Sequence, residues 1–435
     1  MTEKIESIDK QPLRGMRDFL PKDWIFRQKL MDAWISAAEE NGFVRYETPI
    51  VEPLSLLERK AGEEISEQIY NFEDKSGRKI ALRPELTPSM VRIVAGNRDV
   101  FTAQGKVYSI GQCFRYERAS LGRKREHFQW NIDIIGEEKC VAEAYLLKTA
   151  VTALQKIGLS EADFKIHVNN RQLVSDFLTS IGIEGENALS VMGVMDKKDK
   201  VSPNVFTDML HEINVIDEQI KAIVSFMSAR SLEEIEALGV ANAKGITDLK
   251  SFLEACDALG IREYIMIDPA IVRGLAYYTG IVFEAFDTNR KFRAIFGGGR
   301  YDNLFEKLTG RPAEACGLGF GDVVVEELHK AKYPSTQTIP TVDVLIGGYG
   351  PVALPKILRM SSMLTGTGLS ADCDFKATQT GKFMGRANKR NAKVAAYIGE
   401  QEAENNQVLI KNMQTGKQVV VPIVEFKDAL KTILE

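Results

Sequence analysis

At 435 residues, 44% of them hydrophobic, the chain is too long for one core and is expected to divide into two or three domains. A net charge of −4 gives no general attraction for polyanions, so a nucleic-acid partner would have to meet a local basic patch, either Arg118 to Arg125 or Lys382 to Lys393. The five cysteines (113, 140, 256, 316, 373) form no C-x-x-C pair, no metal spacing and no even disulfide framework; with no apolar run of roughly 18 residues and no clear signal or transit peptide, the expectation is a cytoplasmic protein with reduced thiols and no protein-held metal.

Residues 24 to 41 place Leu30, Met31, Trp34, Ala37 and Ala38 at helical spacing, and Gly42 follows as a C-terminal stop. Phe43 to Glu47 then alternates as a strand and ends at Thr48-Pro49. By pattern alone such a pair reads first as packing within one subunit, because any core helix shows this stripe, and second as an interface between two. Further on, Tyr108 to Phe114 is an apolar strand that ends in Arg115-Tyr116-Glu117; a loop rich in Arg and Gly leads to a return strand, Phe128 to Ile135. Residues 115 and 117 share a face. An arginine fork on a rigid strand can hold a phosphate bidentately, and a carboxylate one alternation away can accept from an exocyclic amine such as that of adenine. By spacing alone, the two also describe a solvated Arg/Glu pair.

Phe164 to Val168 is a further strand, and from about Leu173 to Arg262 the text becomes helical, with Met209, Ile213, Ile216, Ile220 and Ile223 on one stripe. Lys197, Lys198 and Lys200 within it fit a solvated loop or an acceptor-stem contact. Prolines and small polar residues from Lys332 to Pro340 mark a boundary. An α/β unit follows: strand Val342 to Ile346, helix Pro351 to Thr365, strand Val394 to Ile398, and strand-like Val408 to Met413 and Gln418 to Val421. Arg386, Lys389, Arg390 and Lys393 recur every three to four residues, a basic ridge that suits either a wet surface or phosphate contacts.

Four segments, taken in order, carry a resemblance: Leu82-Arg83-Pro84-Glu85-Leu86-Thr87-Pro88, the Arg115 to Glu117 segment, Val272-Arg273-Gly274-Leu275-Ala276-Tyr277-Tyr278, and Gly297-Gly298-Gly299-Arg300-Tyr301-Asp302. They resemble class II aminoacyl-tRNA synthetases, and the last two are similar to the signatures of histidyl-tRNA synthetases; the likeness runs from Gly15-Met16-Arg17-Asp18 to Ile398-Gly399-Glu400. The resemblance implies an α+β fold. A catalytic domain on an antiparallel sheet would span 1–335 with a helical domain inserted at about 173–262, followed by an anticodon-binding α/β domain at 340–435. It implies activation of L-histidine by ATP, with Mg²⁺ on the phosphates, transfer to tRNA(His), and a homodimer built on the 24–49 segment. It further places Arg115 and Arg273 on the α-phosphate and the histidine carboxylate as the catalytic cations, and Glu117, Arg123, Arg125 and Gly321 on ATP. Glu85, Thr87 and Gln129 would hold the α-amino group, Asp133 and Tyr278 the imidazole; Tyr277 would close the pocket, and Gly298 would let backbone pass against the substrate. Arg386, Lys389 and Arg390 are the residues expected on tRNA.

Two positions depart from the pattern. Gly317-Leu318-Gly319-Phe320-Gly321-Asp322-Val323-Val324 puts Val324 where the third class II motif carries an arginine, so the ATP tail must be held otherwise, by Arg123 or Arg125 for example; and Ala276 replaces an aspartate. A catalytically silent paralogue that senses histidine or tRNA is the alternative; the retained Arg115, Glu117 and Arg273 speak against it. A Rossmann dehydrogenase is excluded, because no G-x-G-x-x-G follows a first strand.

Overall fold

Pro21 opens the first helix, Pro21–Glu40, where a missing N–H costs nothing, and Gly42 at φ 76° turns the chain out of it. Phe26, Leu30, Ala33, Trp34, Ala37 and Ala38 form its buried stripe. The structure, a computed structural model, describes residues 9–58, 67–102, 105–272, 277–334, 342–376 and 378–434. By contacts the chain forms two compact units, Met1–Pro334 and Ser335–Glu435.

In the first unit, β1 (Val44–Arg45) follows the helix, and β2 (Val51–Pro53), β3 (Asn71–Glu73) and β4 (Lys79–Leu82) make a small sheet in the order β2-β4-β3. The large sheet adds β5 (Lys106–Phe114), β6 (Glu126–Ile135), β7 (Phe164–Asn170), β8 (Ile265–Ile267), β9 (Ile281–Asp287), β10 (Phe296–Arg300) and β11 (Ala315–Gly321), in the order β1-β5-β6-β11-β10-β9-β7-β8. Its six central strands are antiparallel and only the edge pairs β1–β5 and β7–β8 are parallel. This is the α+β class expected.

The pleat divides that sheet into two faces. Tyr108, Ile110, Trp130, Ile132, Ile134, Leu318 and Phe320 turn toward the helices and share one core with Phe26, Leu30 and Trp34. Trp34 meets Trp130 and Phe320 at ring separations of 6.0 and 5.3 Å. The other face carries Gln129, Asn131 and Asp133, and it holds the site described below.

Between β7 and β8 the chain is helical, as the periodicity requires, with Arg171–Ser180, Gly185–Met195, Pro203–Glu212, Asp217–Ser228 and Lys244–Ala258 as its longer helices. The Met209 to Ile223 stripe is not one helix. Asn214 sits at φ 61°, which breaks the run between Glu212 and Asp217 and leaves Ile216 58% exposed.

The second unit holds β12 (Val344–Gly348), β13 (Ala371–Asp374), β14 (Val394–Ile398), β15 (Gln407–Asn412) and β16 (Gln418–Pro422) in the order β13-β12-β14-β15-β16. The first three strands are parallel and the last two antiparallel. Helices Ala353–Met363 and Phe426–Leu434 cover one face through Ile357, Met360, Phe426 and Leu430; Phe383 and Ala387 of the Thr380–Lys389 helix cover the other. Among the described residues no helix is long and apolar enough to cross a membrane, and all five cysteines are unpaired.

A candidate nucleotide and amino-acid site

A polar ladder runs along β6 on the face turned away from the helical core. His127, Gln129, Asn131 and Asp133 alternate with Phe128, Trp130, Ile132 and Ile134, so period-2 geometry lines up their side chains. Gln129 Nε2 donates to Asn131 Oδ1 at 2.7 Å, and Asn131 Nδ2 donates to Asp133 Oδ2 at 2.8 Å. The Tyr301 hydroxyl donates to the other oxygen, Asp133 Oδ1. Asp133 is only 1% exposed, so its carboxyl at the floor of the sheet is held in one orientation by these donors. At the other end burial, and then the positive charge of Arg115, push the His127 imidazole down to about 3, which holds it neutral.

The neighbouring strand explains how this polar row fits into a sheet interior. Gly317 pairs with Asp133 and Gly319 with Asn131. A Cβ on Gly317 would stand 2.1 Å from Asp133 Oδ1 and 2.8 Å from the Tyr301 hydroxyl; one on Gly319 would stand 2.6 Å from Gln129 Nε2. The glycines of β11 therefore make the room that the ladder occupies.

Arg115 lies just past the end of β5, with its Nε on the Pro84 carbonyl at 2.9 Å and no other hydrogen bond to its guanidinium among the described residues. Glu117 lies beyond the end of β5, in a tight turn where its amide donates to the Arg115 carbonyl at 2.8 Å, so strand alternation does not relate the two residues as expected; its carboxylate pairs with Arg123 Nε at 3.2 Å, so the carboxylate and the loop cation hold each other. Arg125 stacks over Tyr116 at 4.1 Å and gives its Nε to the Glu117 carbonyl at 3.1 Å. Arg83 is a brace: 2% exposed, it donates to the carbonyls of Gln112 and Thr48, both at 2.8 Å, and so ties the Thr48-Pro49 turn to β5. Arg17 reaches Asp322 at 2.7 Å, and burial nevertheless raises the Asp322 carboxyl above its ordinary range.

The remaining expected residues divide. Thr87, buried, opens the Thr87–Gly96 helix, and Glu85 precedes it, half-buried. Tyr277 and Tyr278, with ring centroids 4.3 Å apart, pack against the cluster that contains Tyr46 and Tyr301. Gly298 points the other way: it pairs with Leu318 on the core face, and a Cβ there would meet the Gly317 carbonyl at 2.1 Å, so only its backbone is available to a ligand. Gly321 ends β11 with nothing within 4 Å of an added Cβ. Arg273 and Ala276 lie outside the described residues; the segment before them is anchored by Asp268, which takes His167 Nδ1 at 2.9 Å and Arg290 at 3.0 Å. Val324 is buried beneath Gly122 of the 115–126 loop, and the stem of Arg293 lies beside the same glycine.

Residues 15–323 match the family described as histidyl-tRNA synthetase, and residues 343–433 match the anticodon binding domain. The chain belongs to the histidyl-tRNA synthetase family. Among its relatives is the chloroplastic/mitochondrial histidine–tRNA ligase of Arabidopsis thaliana, 35% identical over 422 residues, 97% of this chain and 87% of that protein. The histidine–tRNA ligase of Haloarcula marismortui is 36% identical over 423 residues, 95% of this chain and 96% of that one. The histidyl-tRNA synthetase structure from Nostoc sp. PCC 7120 superposes with a TM-score of 0.83 at 24% identity, over 98% of this chain and all of that one, a likeness of fold.

Within this synthetase-family chain three residues of the site carried no separate signal in the sequence. His127 and Asn131 complete the ladder, and their alternation with Gln129 and Asp133 along Phe128 to Ile135 was the clue available. Tyr301 stood inside a recognised segment, but its partner lies 168 residues away and only the fold joins them. Arg300 of the same segment is structural, buried against Glu143 at 2.6 Å. In the second unit, Arg386 is held by Asp374 and Thr378 and Arg390 by Asp372, while Lys389 is exposed.

Proposed function

We propose that this chain is a histidine–tRNA ligase that activates L-histidine with ATP to histidyl-adenylate and pyrophosphate, then transfers histidine to the 3′ end of tRNA(His). The observation that carries the reading is the buried β6 ladder ending in Asp133, in a chain related over 97% of its length to a histidine–tRNA ligase. A neutral imidazole offers one donor and one acceptor, and a carboxylate fixed by Tyr301 and Asn131 is a rigid acceptor for the ring N–H.

In the first step the histidine carboxylate attacks the α-phosphorus, the bond to the β-phosphate oxygen breaks, and pyrophosphate leaves. The attacking group is already ionised, so no general base is needed. Arg115, with its terminal nitrogens uncommitted among the described residues, and Arg273 from the opposite side stabilise the charge that builds on the phosphoryl oxygens. ATP enters as its magnesium complex, in which the ion keeps most of its waters. Glu117 takes the adenine amine, with Arg123 and Arg125 along the phosphates and Gly321 beneath; Gln129, Thr87 and Glu85 take the α-amino group, Tyr278 takes the imidazole together with Asp133, and Tyr277 closes the pocket. In the second step the terminal ribose hydroxyl of tRNA attacks the acyl carbon and AMP leaves.

The protein works as a cytoplasmic homodimer, with residues 1–335 catalytic, about 173–262 inserted, and 340–435 on the anticodon. Supporting the dimer, Val44, Ile50 and Val51 stay 37–41% exposed around the edge strand β1. Histidine-dependent exchange of pyrophosphate into ATP tests the activity: a rate that rises with histidine and with no other amino acid is expected, and its absence, with tRNA or histidine still bound, would leave a silent binding protein.

A further inference from the structure

Paired residues on neighbouring strands share a face, and the register carries the row that begins at Asp133 through Gly317, Gly299 and Val282 to Asn169 on β7. At about 4.8 Å per strand the two ends of the row stand roughly 19 Å apart. An added Cβ on Gly299 would meet the Tyr278 ring at 3.1 Å, so that ring lies over the middle. Asp133 is the imidazole end. Asn169, 1% exposed, marks the other, while its neighbour Val168 turns into the helical core.

The chain that leads to Arg273 passes over the Asn169 end. After β8 the Asp268 amide extends the ladder to the Val168 carbonyl at 2.9 Å, and a tight turn follows, in which Asp268 Oδ1 accepts the Ala270 amide at 3.2 Å and the Asp268 carbonyl accepts the Ile271 amide at 3.0 Å. The turn thus closes on its own bonds. Asn169 Nδ2 nevertheless donates to two carbonyls within it, Pro269 at 3.1 Å and Ile271 at 3.0 Å, and Asn169 Oδ1 accepts the Asn170 amide at 2.8 Å. A planar amide fixed at both ends therefore adds direction to the turn, and Asp268 anchors its start through His167 and Arg290. Arg273 follows Ile271 by two residues, a span of at most about 7 Å, so a displaced Ile271 carbonyl displaces what comes after it.

We infer that Asn169 is a positioning residue of the activation step: by holding the 269–271 turn it sets where Arg273 meets the histidine carboxylate and the α-phosphate. This rests on the proposed histidine activation. Reacting groups tolerate little error, since about 1 Å of misplacement can cost on the order of 10²-fold in rate. Asn169 itself touches no substrate in this scheme. Its effect falls on the carboxylate and the phosphate and spares the imidazole, which Asp133 and Tyr278 hold at the far end and the middle of the row.

Asn169→Ala strips the turn of both donors, and Asn169→Ser leaves a hydroxyl that can serve one carbonyl. Histidine-dependent exchange is compared in wild type, in these two variants, in Arg273→Ala and in the double variant Asn169→Ala with Arg273→Ala, together with inhibition by a histidine analogue whose carboxylate is replaced by CH₂OH. The expected results are a kcat/KM for histidine lowered about 10-fold or more in Asn169→Ala and less in Asn169→Ser, and wild-type affinity for the analogue in both. Adding Asn169→Ala to Arg273→Ala should cost nothing further, because residues that act through one another are not additive. Unchanged kinetics, equal weakening of histidine and the analogue, or losses that multiply in the double variant would overturn the positioning role and leave the activity standing. Should Asn169→Ala fail to fold, Asn169→Ser alone and with Arg273→Ala decides by the same comparison. Wild-type protein that binds the analogue yet shows no histidine-dependent exchange would overturn the activity and the role of Asn169 together.

Discussion

Asp133 concentrates the chemistry of the site, because its two oxygens each take a donor from the protein, Asn131 Nδ2 on one and the Tyr301 hydroxyl on the other, and are fixed by them. Asparagine at 133 keeps the shape but turns an NH₂ toward a donor, either the Asn131 amide or the Tyr301 hydroxyl. Asp133→Asn should therefore raise the KM for histidine by on the order of 10²-fold or more, the loss typical of a buried charged partner, with ATP little affected; exchange kinetics with each substrate varied in turn decide it, and parallel losses would mean misfolding. His127 offers a test by pH. Its folded pKa of about 3 lies below the ordinary 6.5, so below pH 6.5 the unfolded chain binds a proton that the folded chain refuses. Its contribution is complete above pH 6.5 and is lost as pH falls toward 3, by at most about 1.4 kcal/mol per pH unit. In His127→Gln, urea midpoints between pH 7 and pH 5 should fall less steeply than in wild type; equal slopes would show that the imidazole is not held neutral.

Strand β11 shows the same site as a property of an element. Gly317 and Gly319 are small because the side chains of β6 lie over them. Gly317→Ala would drive a methyl into Asp133 Oδ1 and the Tyr301 hydroxyl, so the pair must separate: histidine affinity should fall about 10-fold or more while the sheet, with its Leu318 and Phe320 face unaltered, remains folded. Gly321→Ala meets nothing within 4 Å, so its melting temperature should match wild type and any rise in the KM for ATP would report on the nucleotide alone. Normal histidine kinetics in Gly317→Ala would mean that Asp133 can move without consequence. These glycines also explain what sequence could and could not disclose. The Tyr108 to Phe114 and Phe128 to Ile135 strands were legible because apolar and polar residues alternate, and Val394 to Ile398 because it is a continuous apolar run with both faces covered. In β10 and β11 the site face is glycine, which erases the alternation, and three glycines at 297–299 read as a turn or a ligand passage when they are strand interior. Edge strand β13, Ala-Asp-Cys-Asp, turns only the small Ala371 and Cys373 toward the core, too short and weak an alternation to read.

The molecule as a whole is two units, each with its own apolar core: Trp34, Trp130 and Phe320 belong to one, Ile357, Met360 and Phe426 to the other. Arg115, Asp133 and the polar ladder all lie in Met1–Pro334, so a protein ending after Pro334 should fold and keep measurable histidine-dependent exchange, while charging of tRNA collapses. Charge reversal can refine this, but the ridge from Arg386 to Arg390 is not uniform. Arg386 and Arg390 are tied to Asp374 and Asp372, and glutamate at either would face a carboxylate within its own unit and lower its stability. Lys389 is exposed and makes the cleaner probe. Lys389→Glu should leave the melting temperature and the exchange rate unchanged, raise the KM for tRNA several-fold, and reduce by about 1 the slope of log affinity against log salt, because a phosphate contact releases one counterion. If truncation instead abolishes exchange and charging together and yields monomers in sedimentation, while Lys389→Glu charges tRNA normally, the second unit serves the dimer and the anticodon assignment falls.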